Sequence, residues 1–423
     1  MTENRTDKTI LVYADWLGLD SIKQLGKLHV QYLRGKEIFS FEYDREWIGT
    51  GFSHFLDPNL GFYRGTQYLP EEKLNFGLFL DSSPDRWGRM LMRRREAVQA
   101  RNEGRKESSL NESDYLLGVF DGHRMGGLRF KLEDSANFLN DNKVMASPPW
   151  TSLRDLENAS LQLERDDVTE DPRYEKWLNL LVDPGSSLGG ARPKASVIDD
   201  MGQLWIAKFP GRKDTRDTGA WELVLKQLAE ECGISVPDAR VIKLSGHHHT
   251  YLSKRFDRTI DGKRIHYASA MTLLGHSDGE SFREGVSYLE LVEFIIRNSS
   301  RSADDLEQLW RRILFNVLVS NTDDHLRNHG FLLTPEGWRL SPAFDMNPDE
   351  AGTGLKLNIS ENDNSLNSDL VIEVAPWFRL SQELANKILQ EMITVVRKWS
   401  DVAKNAGLSK EERQMMLGAF RNT

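Results

Sequence analysis

Residues 320–332 read SNTDDHLRNHGFL, and Asp323 and Asn328 stand five positions apart within them. A carboxylate can accept the proton of an attacking hydroxyl. An amide carbonyl oxygen is a hard ligand suited to Mg²⁺. A short loop between the two would hold both against one phosphate. The stretch just before, SADDLEQLWRRILFNVLVS, spaces Leu306, Leu309, Trp310, Ile313, Leu314, Val317 and Leu318 as one helical face. The loop therefore leaves the clearest helix in the chain. Alone, Asp323-Asp324 would equally suit a turn after a helix, where Asp is favoured.

Further pieces lie on both sides. Downstream, GFLLTPEGWRLS reads as two short strands around Pro335-Glu336-Gly337. LSPAFDMNP follows, placing Asp345 seventeen residues after Asn328. Upstream, Lys208 sits in the strand pattern LWIAKFP, and Glu222 lies fourteen residues later on a helix pattern. Before Lys208 comes PGSSLGGARPKASV, where Gly185, Gly189 and Gly190 free backbone N–H groups to form an anion-binding nest. Phosphate loop, lysine strand, glutamate helix, Asp…Asn loop and second aspartate follow the order found in protein kinases. The His-Arg that usually precedes the catalytic aspartate is missing, and His325 sits inside the loop instead.

The rest of the chain divides by pattern. TILVYA, KLHVQYL, EIFSFEY and GGLRFKL read as strands, and SSPDRWGRMLMRRREAVQARN and DYLLGVF as helices. DSANFLNDNKVMASPP, around residues 133–150, reads as a linker. Two helices precede the glycine-rich segment, and VIKL, TYLSKRFDR and KRIHYASAM follow as strands. From about Glu284 the pattern turns helical; LSQELANKILQEMITVVRKWSDVAKNAG reads as one helix, opened by Ser381 and closed by Gly407. NISENDNSLNSDL reads as a mobile polar stretch. The arginines of RMLMRRREAVQARNEGRK suit a solvated helix face, and His247-His248-His249 a polar loop.

Composition narrows the function classes. The 423 residues are 39% hydrophobic and 28% charged, which suits a soluble chain of two or three domains. The formal net charge of −9 argues against autonomous nucleic-acid binding. The single cysteine, Cys232, excludes an intrachain disulfide and a cysteine zinc cluster, and fits a reducing cytoplasm. Neither a signal peptide nor a membrane span is expected.

SSLGGARPKAS, IAKFP, RFDR, NTDDHLRNHGF and SPAFDMNP together resemble the HipA-type toxin kinases of type II toxin–antitoxin systems. FLDSSPDRWGRMLM is similar to the segment that family carries before its kinase core. The resemblance implies an α+β fold. Its protein-kinase-like bilobal core would have a small β-rich lobe (150–283) and a larger helical lobe (284–423), preceded by an N-terminal α+β domain (1–149). It implies Asp323 as catalytic base and Asn328 and Asp345 as Mg²⁺ ligands. Lys208, Gly189, Gly190, Ala191, Glu222 and His325 are the expected ATP-binding residues, with His325 as a loop residue and no catalyst. Ser187 matches a serine that family members autophosphorylate, ejecting the phosphate loop, and Ser186 beside it competes for that role. ATP and Mg²⁺ are the expected cofactors. The implied partners are a small HipB-like helix-turn-helix antitoxin, a protein substrate with aminoacyl-tRNA synthetases as candidates, and DNA only through the antitoxin. A second copy of the chain is a further candidate partner. Two other functions remain open: an ATP-binding but inactive corepressor, and a kinase of a small molecule.

Overall fold

A computed structural model describes residues 7–70, 72–141, 148–185, 190 and 192–422. The chain folds as two units: Met1–Arg212 with Asp257–Ala268, and Lys213–Phe256 with Ser269–Thr423. Both mix helices with antiparallel strands.

In the first unit, β1 (Lys8–Ala14), β2 (Lys23–Leu33), β3 (Lys36–Tyr43), β4 (Gln67–Tyr68) and β5 (Leu128–Leu132) form a sheet in the order β4-β3-β2-β1-β5. Alternation decides which face is covered: Ile10, Val12 and Ala14 of β1 are fully buried, as are Leu28 of β2 and Phe41 of β3. Gly26 is required on β2, since a Cβ there would collide with the Glu42 carbonyl and the Phe41 ring. Phe41, Phe76, Phe79 and Phe130 pack as a cluster of mostly edge-to-face rings on the covered face.

The helix Arg86–Asn102 packs against the helix Tyr174–Gly185, which also contacts the helix Leu153–Leu163. Its arginines are more engaged than a solvated face requires. Arg89 makes a two-pronged ion pair with Glu112, and Arg94 donates to the Leu163 carbonyl at 2.7 Å. A hairpin of β6 (Lys194–Ile198) and β7 (Leu204–Lys208) follows, with Lys194 opposite Lys208. The Trp87 indole Nε1–H donates to the Lys194 carbonyl at 3.0 Å and so fastens the start of β6 to the N-terminal helix.

The second unit opens with the helix Thr218–Glu231, capped by the Asp217 carboxylate accepting from the Ala220 amide. The hairpin of β8 (Ala239–Ile242) and β9 (Thr250–Lys254) comes next. His249 Nδ1 lies 2.5 Å from Asp217 Oδ2, so the histidine run is tied to that cap. The helix Tyr288–Asn298 starts at a capping box of Ser287 and Glu290. It packs on the helix Ser302–Leu318, whose seven predicted apolar residues are all fully buried.

Two expectations need correction. The stretch 380–407 is two helices, Gln382–Val396 and Trp399–Asn405. Ser381 does open the first, and Gly407, at φ +88°, follows the second. The break at Arg397-Lys398 lets Trp399 turn inward and stack on Phe420, with ring centroids 4.3 Å apart. The segment 358–370 is pinned. Asn364 Nδ2 donates to the Leu355 carbonyl at 2.6 Å, Leu355 N–H returns a bond to the Asn364 carbonyl, and Ile359 is fully buried. Among the described residues no helix is long and apolar enough to cross a membrane.

Candidate active site

The helix Ser302–Leu318 carries two buried polar side chains one turn apart, Arg312 and Asn316. Arg312 donates to the Ser341 carbonyl. Burial lowers its guanidinium to about 10, against the opposing pull of Asp324 and Asp305. After Val319 the chain reverses at Ser320, a non-glycine residue at φ +50°. A left-handed turn of this kind is a local strain that a functional loop can retain.

The loop that follows separates its two aspartates. Asp323 is exposed. Asp324 is buried, and its Oδ2 accepts from Tyr288 Oη at 2.6 Å and Asn316 Nδ2 at 2.6 Å. His329 Nε2 completes the set at 2.9 Å. Burial alone would push the Asp324 carboxyl up. His329 and the Tyr288 hydrogen bond outweigh it and hold the group below its ordinary range. Burial, then the Asp324 charge, raises the Tyr288 phenol well above its usual value, so it stays a donor. An ionised carboxylate only accepts, so His329 carries its proton on Nε2.

Asn328 closes the loop, donating from Nδ2 to the Asp323 carbonyl at 3.1 Å. With that NH₂ in use, its Oδ1 is the atom left to a cation. His325 is half-buried; its backbone N–H donates to the Asp323 carbonyl at 3.0 Å, and its Nδ1 finds no partner among the described residues.

The hairpin Gly330–Thr334/Gly337–Leu340 leads from Asn328 to Asp345, and pairs Phe331 with Leu340 and Thr334 with Gly337. Asp345 is itself left-handed, at φ +59°. Hydrogen bonds tie its loop to the loop of Asp323. The Asn347 amide donates to Asn321 Oδ1 at 3.1 Å, the Asp349 amide to the Ser320 carbonyl at 3.0 Å, and Thr322 Oγ1 to Asp349 Oδ2 at 2.8 Å. Glu222 is buried on its helix. Burial, and then the charges of Glu222 and Asp345, raise the Tyr251 phenol well above its ordinary value.

The second unit thus gathers Asp323, His325, Asn328, Asp345 and Glu222. Lys208 belongs to the first unit, at the end of β7, as does Gly190, whose amide donates to the Asp85 carboxylate. Ser186, Ser187, Gly189 and Ala191 lie outside the described residues. Asn328 and Asp345 offer hard oxygens, as Mg²⁺ prefers. Among the described residues no three His, Cys, Asp or Glu side chains form a cluster that could hold a metal ion by themselves. Sequence reasoning missed Tyr288, Asn316 and His329. The one signal available was an asparagine on an otherwise apolar helical stretch.

A family model described as the HipA-like C-terminal domain matches residues 186–399. The serine/threonine-protein kinase toxin HipA of Shewanella oneidensis is 27% identical over 266 residues, 55% of this chain and 59% of that protein. A putative kinase of Haemophilus influenzae is 25% identical over 179 residues, 38% of this chain and 52% of that one. The matches span little more than half the length of these curated relatives. The solved complex of Shewanella oneidensis HipA with HipB and operator DNA contains a chain of similar fold, with TM-score 0.65 and 18% identity. That similarity covers 97% of this chain and 95% of the other. The matched segment takes in Lys208, Glu222, Asp323, Asn328 and Asp345, and the chain belongs to the family defined by the HipA-like C-terminal domain.

Proposed function

We propose that this protein is a serine/threonine protein kinase acting as a toxin, which transfers the γ-phosphoryl group of Mg·ATP to a protein hydroxyl. The observation that carries the proposal is the exposed carboxylate of Asp323 on a loop closed by Asn328 and hydrogen-bonded to the loop of Asp345. Asp323 orients the substrate hydroxyl and takes its proton. Asn328 Oδ1 and the Asp345 carboxylate would hold the metal, and Lys208, Glu222 and His325 are assigned to ATP binding. Bound Mg²⁺ supplies charge neutralisation at the phosphates. Gly189, Gly190 and Ala191 are assigned to the same nucleotide on the family likeness. Positioning and electrostatics carry most of the catalysis in phosphoryl transfer, which suits so few reacting groups.

Regulation follows the family likeness. Ser187, or its neighbour Ser186, receives phosphate from the protein's own site and silences it. A HipB-like helix-turn-helix protein neutralises the toxin in the cytoplasm and carries it to DNA; a HipB-like partner is supported by the HipA relative having been solved in complex with HipB and operator DNA. Aminoacyl-tRNA synthetases are the first targets to try. The working division is an N-terminal α+β domain over 1–149 and kinase lobes over 150–283 and 284–423.

Peptide mass spectrometry after incubation with Mg·ATP tests the proposal. Phosphate on Ser186 or Ser187 of the wild type, absent from Asp323→Asn, supports it. Binding of Mg·ATP with no phosphoprotein formed, even with synthetases present, replaces it with an inactive nucleotide-binding corepressor.

A further inference from the structure

Asn316 spends its amide in two directions. Nδ2 donates to Asp324 Oδ2 at 2.6 Å, and Oδ1 accepts from Asn321 Nδ2 at 3.0 Å. Asn321 Oδ1 in turn accepts the backbone N–H of Asn347, two residues beyond Asp345. All three side chains are buried. The chain has a single polarity. An ionised carboxylate offers acceptors only, so Asn316 must turn its NH₂ to Asp324 and its oxygen to Asn321. Asn321 must then give its NH₂ to Asn316 and keep its oxygen for the Asn347 amide. One buried charge thus sets the orientation of two amides and, through them, the place of a backbone group in the Asp345 loop. Buried hydrogen-bonded chains of this kind strengthen one another in a low dielectric.

We propose that Asp324, Asn316 and Asn321 are positioning residues that fix the separation of Asp323 from Asp345. The proposal rests on the kinase function proposed above. Tyr288 and His329 hold the Asp324 end of the chain, and the helix Ser302–Leu318 holds its middle. A base and a metal ligand on separate loops need such a tie, because a misplacement of about 1 Å can cost ~100-fold in rate. If these groups merely satisfied one another's hydrogen bonds, cutting the chain would cost stability and leave metal dependence unchanged.

The test compares the full-length wild type with Asn316→Leu, which cuts the chain at its middle. Phosphate incorporation is measured against Mg²⁺ concentration, and amide hydrogen exchange at Asn347 by NMR. In Asn316→Leu we expect exchange at Asn347 to quicken at least ~10-fold with the helix Gln382–Val396 unchanged, and half-maximal incorporation to need more Mg²⁺. Unchanged exchange and Mg²⁺ dependence in a folded Asn316→Leu protein overturns the proposal. If Asn316→Leu does not fold, Tyr288→Phe, which removes one donor from Asp324, is judged by the same two readouts. A wild type neither phosphorylated nor stabilised by Mg·ATP defeats the kinase function itself, and the proposal with it. An active wild type with unaffected variants defeats the proposal alone.

Discussion

Asp323 and Asp324 are adjacent in sequence and opposite in environment: the first carboxylate is exposed, while the second is 5% exposed and accepts three hydrogen bonds through one oxygen. Only the first is open to solvent, and the second is enclosed by Tyr288, Asn316 and His329.

Asp323→Asn keeps the shape of the side chain and removes its basicity. General-base assistance contributes about 10²–10⁴-fold, so phosphate incorporation should fall by at least ~100-fold. Because Asp323 is exposed, the unfolding free energy read from urea denaturation should change by no more than about 0.5 kcal/mol. A variant that is fully active, or one that fails to fold, would each remove Asp323 from the assigned role.

Ser320→Gly should stabilise the protein. Ser320 is fully buried at φ +50°, and its Oγ has no hydrogen-bond partner among the described residues. Glycine relieves the left-handed strain and deletes the stranded hydroxyl, against its own entropic cost, for a net gain of about 1 kcal/mol. Equilibrium urea unfolding reads the sign directly.

Trp87→Phe removes the indole donor from the Lys194 carbonyl where the glycine-rich segment enters β6. A buried acceptor that loses its partner costs about 1–3 kcal/mol. Thermal unfolding should show that loss.

His276 lies between two carboxylates, 2.7 Å from Glu290 through Nε2 and hydrogen-bonded to Glu280 through Nδ1. The Glu290 bond is the main cause of its raised pKa; burial opposes the rise and Glu280 adds to it. A raised folded value means that the stabilisation is complete below the unfolded pKa, near 6.5, and fades as pH climbs through the folded one. The melting temperature of the wild type should therefore exceed that of His276→Gln near pH ~6, and the gap should narrow by pH ~9. A constant gap would show that the imidazole contributes packing alone.

Much of the second unit was legible in the sequence. Leu306, Leu309 and Ile313 announced a buried helix by spacing, and Pro335-Glu336-Gly337 announced the hairpin that carries the chain toward Asp345. Periodicity reports which face of an element is covered. It does not report which buried polar groups meet across elements, so Tyr288 and His329 gave no sign that both converge on Asp324. The break at Arg397-Lys398 was equally silent, because its cause, the stacking of Trp399 on Phe420, joins residues twenty-one positions apart.

The Asn316 link has a consequence for how enzymes of this shape lose their activity. A descendant chain could keep Asp323, Asn328 and Asp345 letter for letter and still fall silent through one change at Asn316, inside a helix that would look like ordinary core. A census of active and degenerate members that scores only the reacting residues would count such a chain among the living.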